Sequence, residues 1–337
     1  MRPVTVLTSL LLLAAACRGQ PASSNANNPQ EPWTTKAPAD VSHGEAAVGS
    51  TGSPAPVDPR APARTASRTV KVRFEIKEAR WTIAQGTVYD AWTFEGRVPG
   101  PVVRATVGDT VDFTLVNKAM MPHSMDFHAA QIAPSRVYVN VMPGDSIHYR
   151  WVPKFAGVFL YHCGTAPVAM HIANGMYGAL IVDPVRPLPP AREFVFVQSE
   201  FYTQKAADSP TAQQLDWNKL LGLAPDWIVF NGIAAQYAEH PIHVAPGELV
   251  RLYVVDAGPN RVSAFHVVGA IFSKVYVDAV PDHAWQGVQT ADVPVGGGLI
   301  FETRLAEPGT YPFVTHAFAD ATKGAVGMLE AQGPAQR

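Results

Sequence analysis

The sequence has little charge and almost no cysteine. Charged residues make up 16% of its 337 residues, against roughly 25% in ordinary soluble domains, and apolar residues and proline fill the difference. The formal net charge is −2, and no cluster of lysine or arginine occurs. This charge pattern argues against a surface that binds nucleic acid or a polybasic surface that binds membranes. Small molecules or other proteins are the expected partners.

A long apolar run occurs only at the start of the chain, and it is too short to span a membrane. A basic Arg2, an apolar run over residues 4–16 and small residues before Cys17 predict a signal peptide over residues 1–17. Export is therefore expected. Cys17 follows three alanines, as in bacterial lipoprotein cleavage sites, so a periplasmic and a lipid-anchored form both remain open. Residues 18–68 are rich in Pro, Ala and Ser and predict a disordered tether.

Because Cys17 lies in the targeting segment, Cys163 is the one thiol expected in the mature chain, and no internal disulfide can form. In an exported protein without disulfides, a lone cysteine beside histidine is expected to be a metal ligand or a nucleophile. Residues 161–178 add two imidazoles and a thioether, from His162, His171 and Met176. A thiolate, two imidazoles and a distant methionine are the ligand set of a blue-copper site.

Only one of the two histidines in this segment, His162 and His171, is needed for that copper site, so the other imidazole must have a different role. Adjacent residues on an extended strand point to opposite faces, so His162 and Cys163 are expected to face different ways. If Cys163 binds one metal ion, His162 is free to bind a second. Only a few covalent bonds would then separate the two ions, which suits electron transfer.

The remainder of the chain predicts an all-β fold. Short runs of β-branched and aromatic residues, separated by Gly, Pro, Asp and Asn, begin at Thr69. Strands are expected over residues 70–76, 110–116, 146–152, 158–161 and 179–182. Residues 184–190 contain several prolines and predict a linker.

The second half of the sequence repeats the first. Residues 108–113 are echoed by residues 247–252, and residues 157–161 by residues 309–313. Two tandem copies of one β-sandwich are therefore predicted, over residues 69–185 and 190–332. One helix is expected near residues 213–221.

The repeat fails at one informative position. Where the first copy has Cys163, the second has Thr315 and no other cysteine, so it cannot build a blue-copper site. The second copy nevertheless keeps His266 and His316. This combination suggests that the second copy contributes side chains to a site it shares.

Upstream histidines complete two ligand sets. His123 completes the blue-copper set with Cys163, His171 and Met176. Three imidazoles remain for a second copper, from His128, His162 and His316. A copper held by three neutral imidazoles keeps a position open for water or an anionic substrate.

Residues 122–128 and 162–178 resemble the corresponding segments of the copper-containing nitrite reductases, particularly the branch found in outer-membrane lipoproteins of Gram-negative bacteria. The resemblance covers roughly residues 69–330. It implies two tandem cupredoxin-like Greek-key sandwiches with two coppers per chain. Type 1 copper would be bound by His123, Cys163, His171 and Met176. Type 2 copper would be bound by His128, His162 and His316. Asp126 and His266 would be the catalytic pair.

The chemistry of nitrite reduction matches these residues. Forming nitric oxide and water from nitrite takes one electron and two protons, so the site needs a redox ion, an electron entry and proton donors. Cys163 and His162 would carry the electron from type 1 to type 2 copper. Asp126 and His266 would supply protons. Val268, two residues after His266, is a candidate to narrow the pocket above the copper.

The resemblance also implies a homotrimer with active sites between subunits, and a cupredoxin or c-type cytochrome as electron donor. Two alternative functions remain open. A laccase-like oxidase would need several His-x-His pairs and a His-Cys-His, and here Cys163 is followed by Gly164. A non-enzymatic blue-copper carrier would have no use for the second histidine set. One, two or four coppers per chain would distinguish a carrier, a nitrite reductase and a laccase.

Overall fold

The structure is a computed structural model that describes residues 54–207, 209–277 and 283–333. The predicted signal peptide, Cys17 and most of the predicted tether lie outside these residues. Within the described residues the chain is all-β, as predicted, and forms two β-sandwiches. No described helix is both long and apolar enough to cross a membrane.

The first sandwich contains the strands that position the cysteine segment. Its strands are β1 (Thr69–Ala84), β2 (Thr87–Phe94), β3 (Val103–Thr106), β4 (Thr110–Asn117), β5 (Asp126–Phe127), β6 (Ser146–Trp151), β7 (Gly157–His162) and β8 (Tyr177–Asp183). One sheet has the order β2-β1-β4-β6, and the other has the order β3-β8-β7-β5. In the second sheet, Asp126 of β5 lies opposite His162 of β7.

The second sandwich follows a connection rich in proline. The next strands along the chain are β9 (Arg192–Phe201), β10 (Thr203–Lys205), β11 (Ala212–Leu215), β12 (Trp227–Phe230), β13 (Ile242–Val244), β14 (Val250–Gly258) and β15 (Ser263–Val267). Of these, β10 and β11 join the sheet of the first sandwich beside β2. The later strands are β16 (Lys274–Val277), β17 (Ala284–Trp285), β18 (Thr290–Val293), β19 (Gly298–Thr303), β20 (Gly309–Thr315) and β21 (Val326–Ala331). Its two sheets have the orders β12-β9-β14-β19-β16-β17 and β13-β21-β20-β15-β18.

The described helices are short. They are α1 (Pro134–Val137), α2 (Val168–Ala173), α3 (Trp217–Leu221), α4 (Gln236–Glu239) and α5 (Phe318–Ala321). The helix predicted over residues 213–221 is wrong in its first part, because residues up to Leu215 form β11. This strand pairs in parallel with β2 and extends a sheet of the first sandwich. The helix begins only after Asp216, whose side chain accepts a hydrogen bond from the Lys219 N–H.

A large cluster of buried apolar side chains fills each sandwich, and another lies between the two sandwiches. Strands β9 and β14 serve two clusters at once. Phe194 and Phe196 face the interior of the second sandwich, whereas Val195 and Val197 face the first. Strands buried on both faces are continuously apolar. This explains why β9 lacks the alternation seen in β1.

A partly buried ion pair and a segment preceding β1 cross between the sandwiches. Glu193 of β9 accepts hydrogen bonds from Arg104 of β3 at 2.8 Å and from Arg251 of β14 at 2.7 Å. Ahead of β1, the Val195 N–H donates to the Pro59 carbonyl at 2.7 Å. Residues near Pro59 thus cover the part of β9 that β12 leaves unpaired, and a covered sheet edge cannot pair with another chain.

Candidate metal centres

Among the described residues, two groups of side chains are arranged to bind a metal ion, and they include adjacent residues of the chain. The first contains His123, Cys163 and His171, all buried. Cys163 Sγ lies 3.3 Å from His171 Nδ1 and 3.7 Å from His123 Nδ1, and the two Nδ1 atoms lie 3.1 Å apart. Each side chain therefore turns a donor atom toward a common point.

Different elements bring these three residues together. His123 exchanges backbone hydrogen bonds with Val141. Cys163 directly follows β7, and His171 lies on α2. Met176, the predicted fourth ligand, is fully buried in the core of the first sandwich. The Cys163 N–H donates to the Met176 carbonyl at 3.0 Å, so the methionine is held beside the cysteine.

Burial sets the protonation state of this first group. It lowers the pKa of His171 to about 4. It also lowers the pKa of His123 to about 3, with a smaller contribution from His171. Both imidazoles are therefore neutral near pH 7, as metal ligands must be. Burial raises the pKa of the Cys163 thiol, so a metal ion that binds there must displace its proton.

Polar neighbours fix the cysteine loop, and the sequence patterns did not single them out. The Ser124 N–H donates to Cys163 Sγ at 3.3 Å, and the Ser124 hydroxyl accepts from the Gly164 N–H at 3.1 Å. The Thr165 hydroxyl is within hydrogen-bond distance of Ser124 Oγ and of Asn140 Oδ1. Ser124 could have been suspected from its position next to His123. Asn140 carries no local signal, because it is far away in sequence.

Tyr138 is another residue that the sequence did not indicate. A Cβ atom on Gly164 would overlap the Tyr138 phenol, so the ring packs on the backbone directly after Cys163. Burial raises the pKa of Tyr138, and the charges of Asp126 and Cys163 raise it further. The Tyr138 phenol therefore interacts electrostatically with one member of each group of candidate ligands, Asp126 and Cys163.

The second group contains Asp126, His128 and His162. The Nε2 atoms of His162 and His128 lie 3.0 Å apart, and Asp126 Oδ2 lies 3.8 Å from His162 Nε2. His162 Nδ1 lies 2.9 Å from the Cys163 carbonyl. That contact places the proton on Nδ1 and leaves the Nε2 lone pair free for a metal ion. His162 and Cys163 thus face opposite ways, as predicted.

The remaining predicted residues lie on the second sandwich, and neither group within the described part of the chain includes them. The rings of His266 and His316 are 5.4 Å apart. His266 Nδ1 lies 2.6 Å from the Gln289 carbonyl, which it can bond as a donor. His316 is exposed, and Val268 is 42% exposed. These side chains form a separate histidine surface.

The first group fits a copper ion. Its three donor atoms lie 3.1 to 3.7 Å apart and turn toward one another, as expected of ligands to one shared cation. One sulfur and two neutral imidazole nitrogens are suited to copper or zinc, and a methionine nearby favours copper. Fold and site together define a β-sandwich protein with a candidate copper centre.

Comparisons with known proteins also indicate a copper protein. The family model described as multicopper oxidase matches residues 75–187. The copper-containing nitrite reductase of Neisseria meningitidis serogroup B is 39% identical over 285 residues, covering 83% of this chain and 73% of the relative. That of Alcaligenes xylosoxydans xylosoxydans is 31% identical and covers 80% and 88%. A copper nitrite reductase structure from Nitrosomonas europaea matches with a TM-score of 0.73 and 36% identity, covering 78% of this chain and 94% of that one. The chain belongs to the copper-containing nitrite reductases.

Proposed function

We propose that this enzyme reduces nitrite to nitric oxide and water, with one electron and two protons. The observation that carries the proposal is that His162 and Cys163, neighbours in the chain, belong to two different groups of candidate ligands. One group is buried and contains sulfur, which suits electron transfer. The other contains imidazoles and a carboxylate and is partly open to solvent, which suits a substrate.

The two copper sites are assigned by their donor sets. Type 1 copper is bound by His123, Cys163, His171 and Met176. Type 2 copper is bound by His128, His162 and His316. The copper ions, when bound, supply the one-electron redox chemistry and a Lewis-acid position for the anion. The peptide between Cys163 and His162, together with the Nδ1 contact of His162 to the Cys163 carbonyl, joins the two sites through a short path.

The protons come from Asp126 and His266. Asp126 is flanked by His123 and His128 in sequence, and its carboxylate approaches His162 Nε2 without being buried. A carboxylate in that position can hold and transfer a proton to an anion bound beside it. His266 has its Nδ1 turned to the Gln289 carbonyl. This contact leaves Nε2 to exchange a proton, and Val268 narrows the pocket on the same surface.

The active form is a homotrimer in which His316 comes from a neighbouring subunit. In one chain, His128 belongs to the second ligand group and is exposed on the first sandwich. His316 is exposed on the second sandwich and belongs to neither ligand group of the described residues. A head-to-tail ring closes three identical heterologous interfaces. Such a ring would bring the first sandwich of each subunit against the second sandwich of the next.

The protein is proposed to work outside the cytoplasm, either in the periplasm or anchored to the outer membrane through Cys17. Its electron donor is proposed to be a small redox protein, a cupredoxin or a c-type cytochrome. Both proposals rest on the sequence and on the family, because Cys17 and its surroundings lie outside the described residues.

An anaerobic assay with a metal count tests the function. Purified, copper-loaded protein is supplied with nitrite and reduced methyl viologen, and nitric oxide is measured with an electrode. We expect nitric oxide and two coppers per chain. His243→Ala, which changes an exposed histidine paired with Glu330, is the matched control and should preserve both. A single copper, or two coppers without nitric oxide, would contradict the proposal, and four coppers with oxygen consumption would indicate a laccase.

A further inference from the structure

Trp92 of β2 contacts both imidazoles of the buried ligand group. Its ring centroid lies 5.0 Å from that of His171 at an interplanar angle of 65°, and 5.7 Å from that of His123 at 68°. Both are edge-to-face contacts within the range in which aromatic rings attract one another. One indole ring therefore packs against two rings that come from different parts of the chain.

The contact matters because the second ring nitrogen of His123 lacks the hydrogen bond that usually orients a metal-binding histidine. A metal-binding histidine normally donates its other ring N–H to an oxygen, which fixes the plane of the ring. His123 Nδ1 faces the ligand group, and His123 Nε2 is buried with no hydrogen-bond partner among the described residues. The orientation of the His123 ring is therefore set by packing, and Trp92 is one of its packing partners.

The backbone of Trp92 also holds the loop that carries the other ligands. The Trp92 N–H donates to the Asn174 carbonyl at 2.9 Å. Gly175 has a φ of +111°, and a Cβ there would lie 3.1 Å from the Trp92 carbonyl oxygen and 2.7 Å from Val98. A glycine is thus needed for β2 to approach so closely. The loop between His171 and Met176 is braced by the same residue whose ring contacts the imidazoles.

Trp92 also lines a surface depression. Glu78, Arg80 and Asp90 line the same depression. The three donors of the ligand group are buried, whereas Trp92 is only partly buried. Trp92 therefore lies between residues that line a charged surface depression and a buried group of ligands. Without the ring, water would gain access to the imidazoles.

We propose that Trp92 is a positioning residue for the type 1 copper: its ring fixes the two imidazole planes and keeps water away from them. The proposal rests on the proposed assignment of His123, Cys163 and His171 as copper ligands. Solvent access and local polarity set the potential of a protein-bound metal. Water favours the more highly charged oxidised ion, so removing the ring should lower the reduction potential.

The test compares Trp92→Leu and Trp92→Phe with the parent holoenzyme. The measurements are copper content, the visible thiolate absorption, the electron paramagnetic resonance spectrum and the midpoint potential by redox titration. We expect Trp92→Leu to shift the one-electron equilibrium about tenfold toward the oxidised form, which corresponds to ~59 mV. Trp92→Phe keeps an aromatic ring and should restore part of the shift. Trp285→Leu, at an exposed tryptophan on β17, is the control.

Each outcome of this experiment supports or overturns the positioning role of Trp92. A lowered potential and broadened type 1 spectrum in Trp92→Leu, partly restored in Trp92→Phe, supports the role. A folded, fully loaded Trp92→Leu with the parent's potential and spectrum overturns it. If Trp92→Leu fails to fold, the potential of Trp92→Phe relative to the control decides by the same criterion. These measurements need no nitrite, so failure of this inference is distinct from failure of the proposed activity. A parent without thiolate absorption would instead refute the ligand assignment.

Discussion

Mixing two inactive variants tests whether the substrate site is shared between subunits. His316→Ala removes the proposed third ligand from the second sandwich, and Cys163→Ala removes the electron entry from the first. In a head-to-tail ring, each site combines the first sandwich of one chain with the second sandwich of its neighbour. When equal amounts assemble at random, half of the first sandwiches keep Cys163 and half of the adjoining second sandwiches keep His316. About a quarter of all sites should then be complete, and about one third of the sites in trimers that contain both variants.

The separation of His316 from the second ligand group in a single chain is the structural basis of this prediction. The two variants carry different affinity tags, are unfolded and refolded together, and doubly tagged trimers are isolated in sequence. Nitric oxide formation is then compared with the parent and with each variant refolded alone. Doubly tagged trimers without activity, or a fully active monomer, would show that each chain completes its own site.

Three further predictions follow from the same structure. Cys163→Ala should abolish the strong visible absorption while the imidazole-bound copper remains, and a variant that stayed coloured would contradict the type 1 assignment. Asp126→Asn should retain both coppers but lower turnover by about 10²-fold or more, and near-normal turnover at the optimal pH would make Asp126 structural. Burial alone would raise the pKa of Glu193, but its ion pairs with Arg104 and Arg251 outweigh burial and lower it. Glu193 therefore stabilises the fold above its unfolded pKa of 4.5, and this contribution is lost as the pH falls further. Glu193→Gln should cost about 3 kcal/mol near pH 7 in denaturant titrations at fixed protein concentration, with a smaller cost in acid. An equal cost at both pH values would refute the electrostatic explanation.

Much of the candidate site could be predicted from the sequence, because ligand chemistry belongs to individual side chains. A lone thiol among histidines and a methionine predicts a blue-copper set whatever the fold around it. Strand alternation is also a local property, and it predicted that His162 and Cys163 face opposite ways. The all-β class followed from the short alternating runs. Their positions agree with β4, β6, β7 and β8 to within a few residues.

Tertiary structure decided what depends on segments that are far apart in sequence. The stretch before Trp217 has helix-forming residues, yet it forms β11, because the free edge of β2 offers it hydrogen-bond partners. Trp92, Tyr138 and Asn140 reach the ligand loop only once the sheets are packed. No local pattern marks them, since their role depends on which surfaces meet. For the same reason the sequence could list His316 beside His128 and His162 as a ligand. Only the folded chain shows that, among the described residues, His316 lies outside the group that contains His128 and His162.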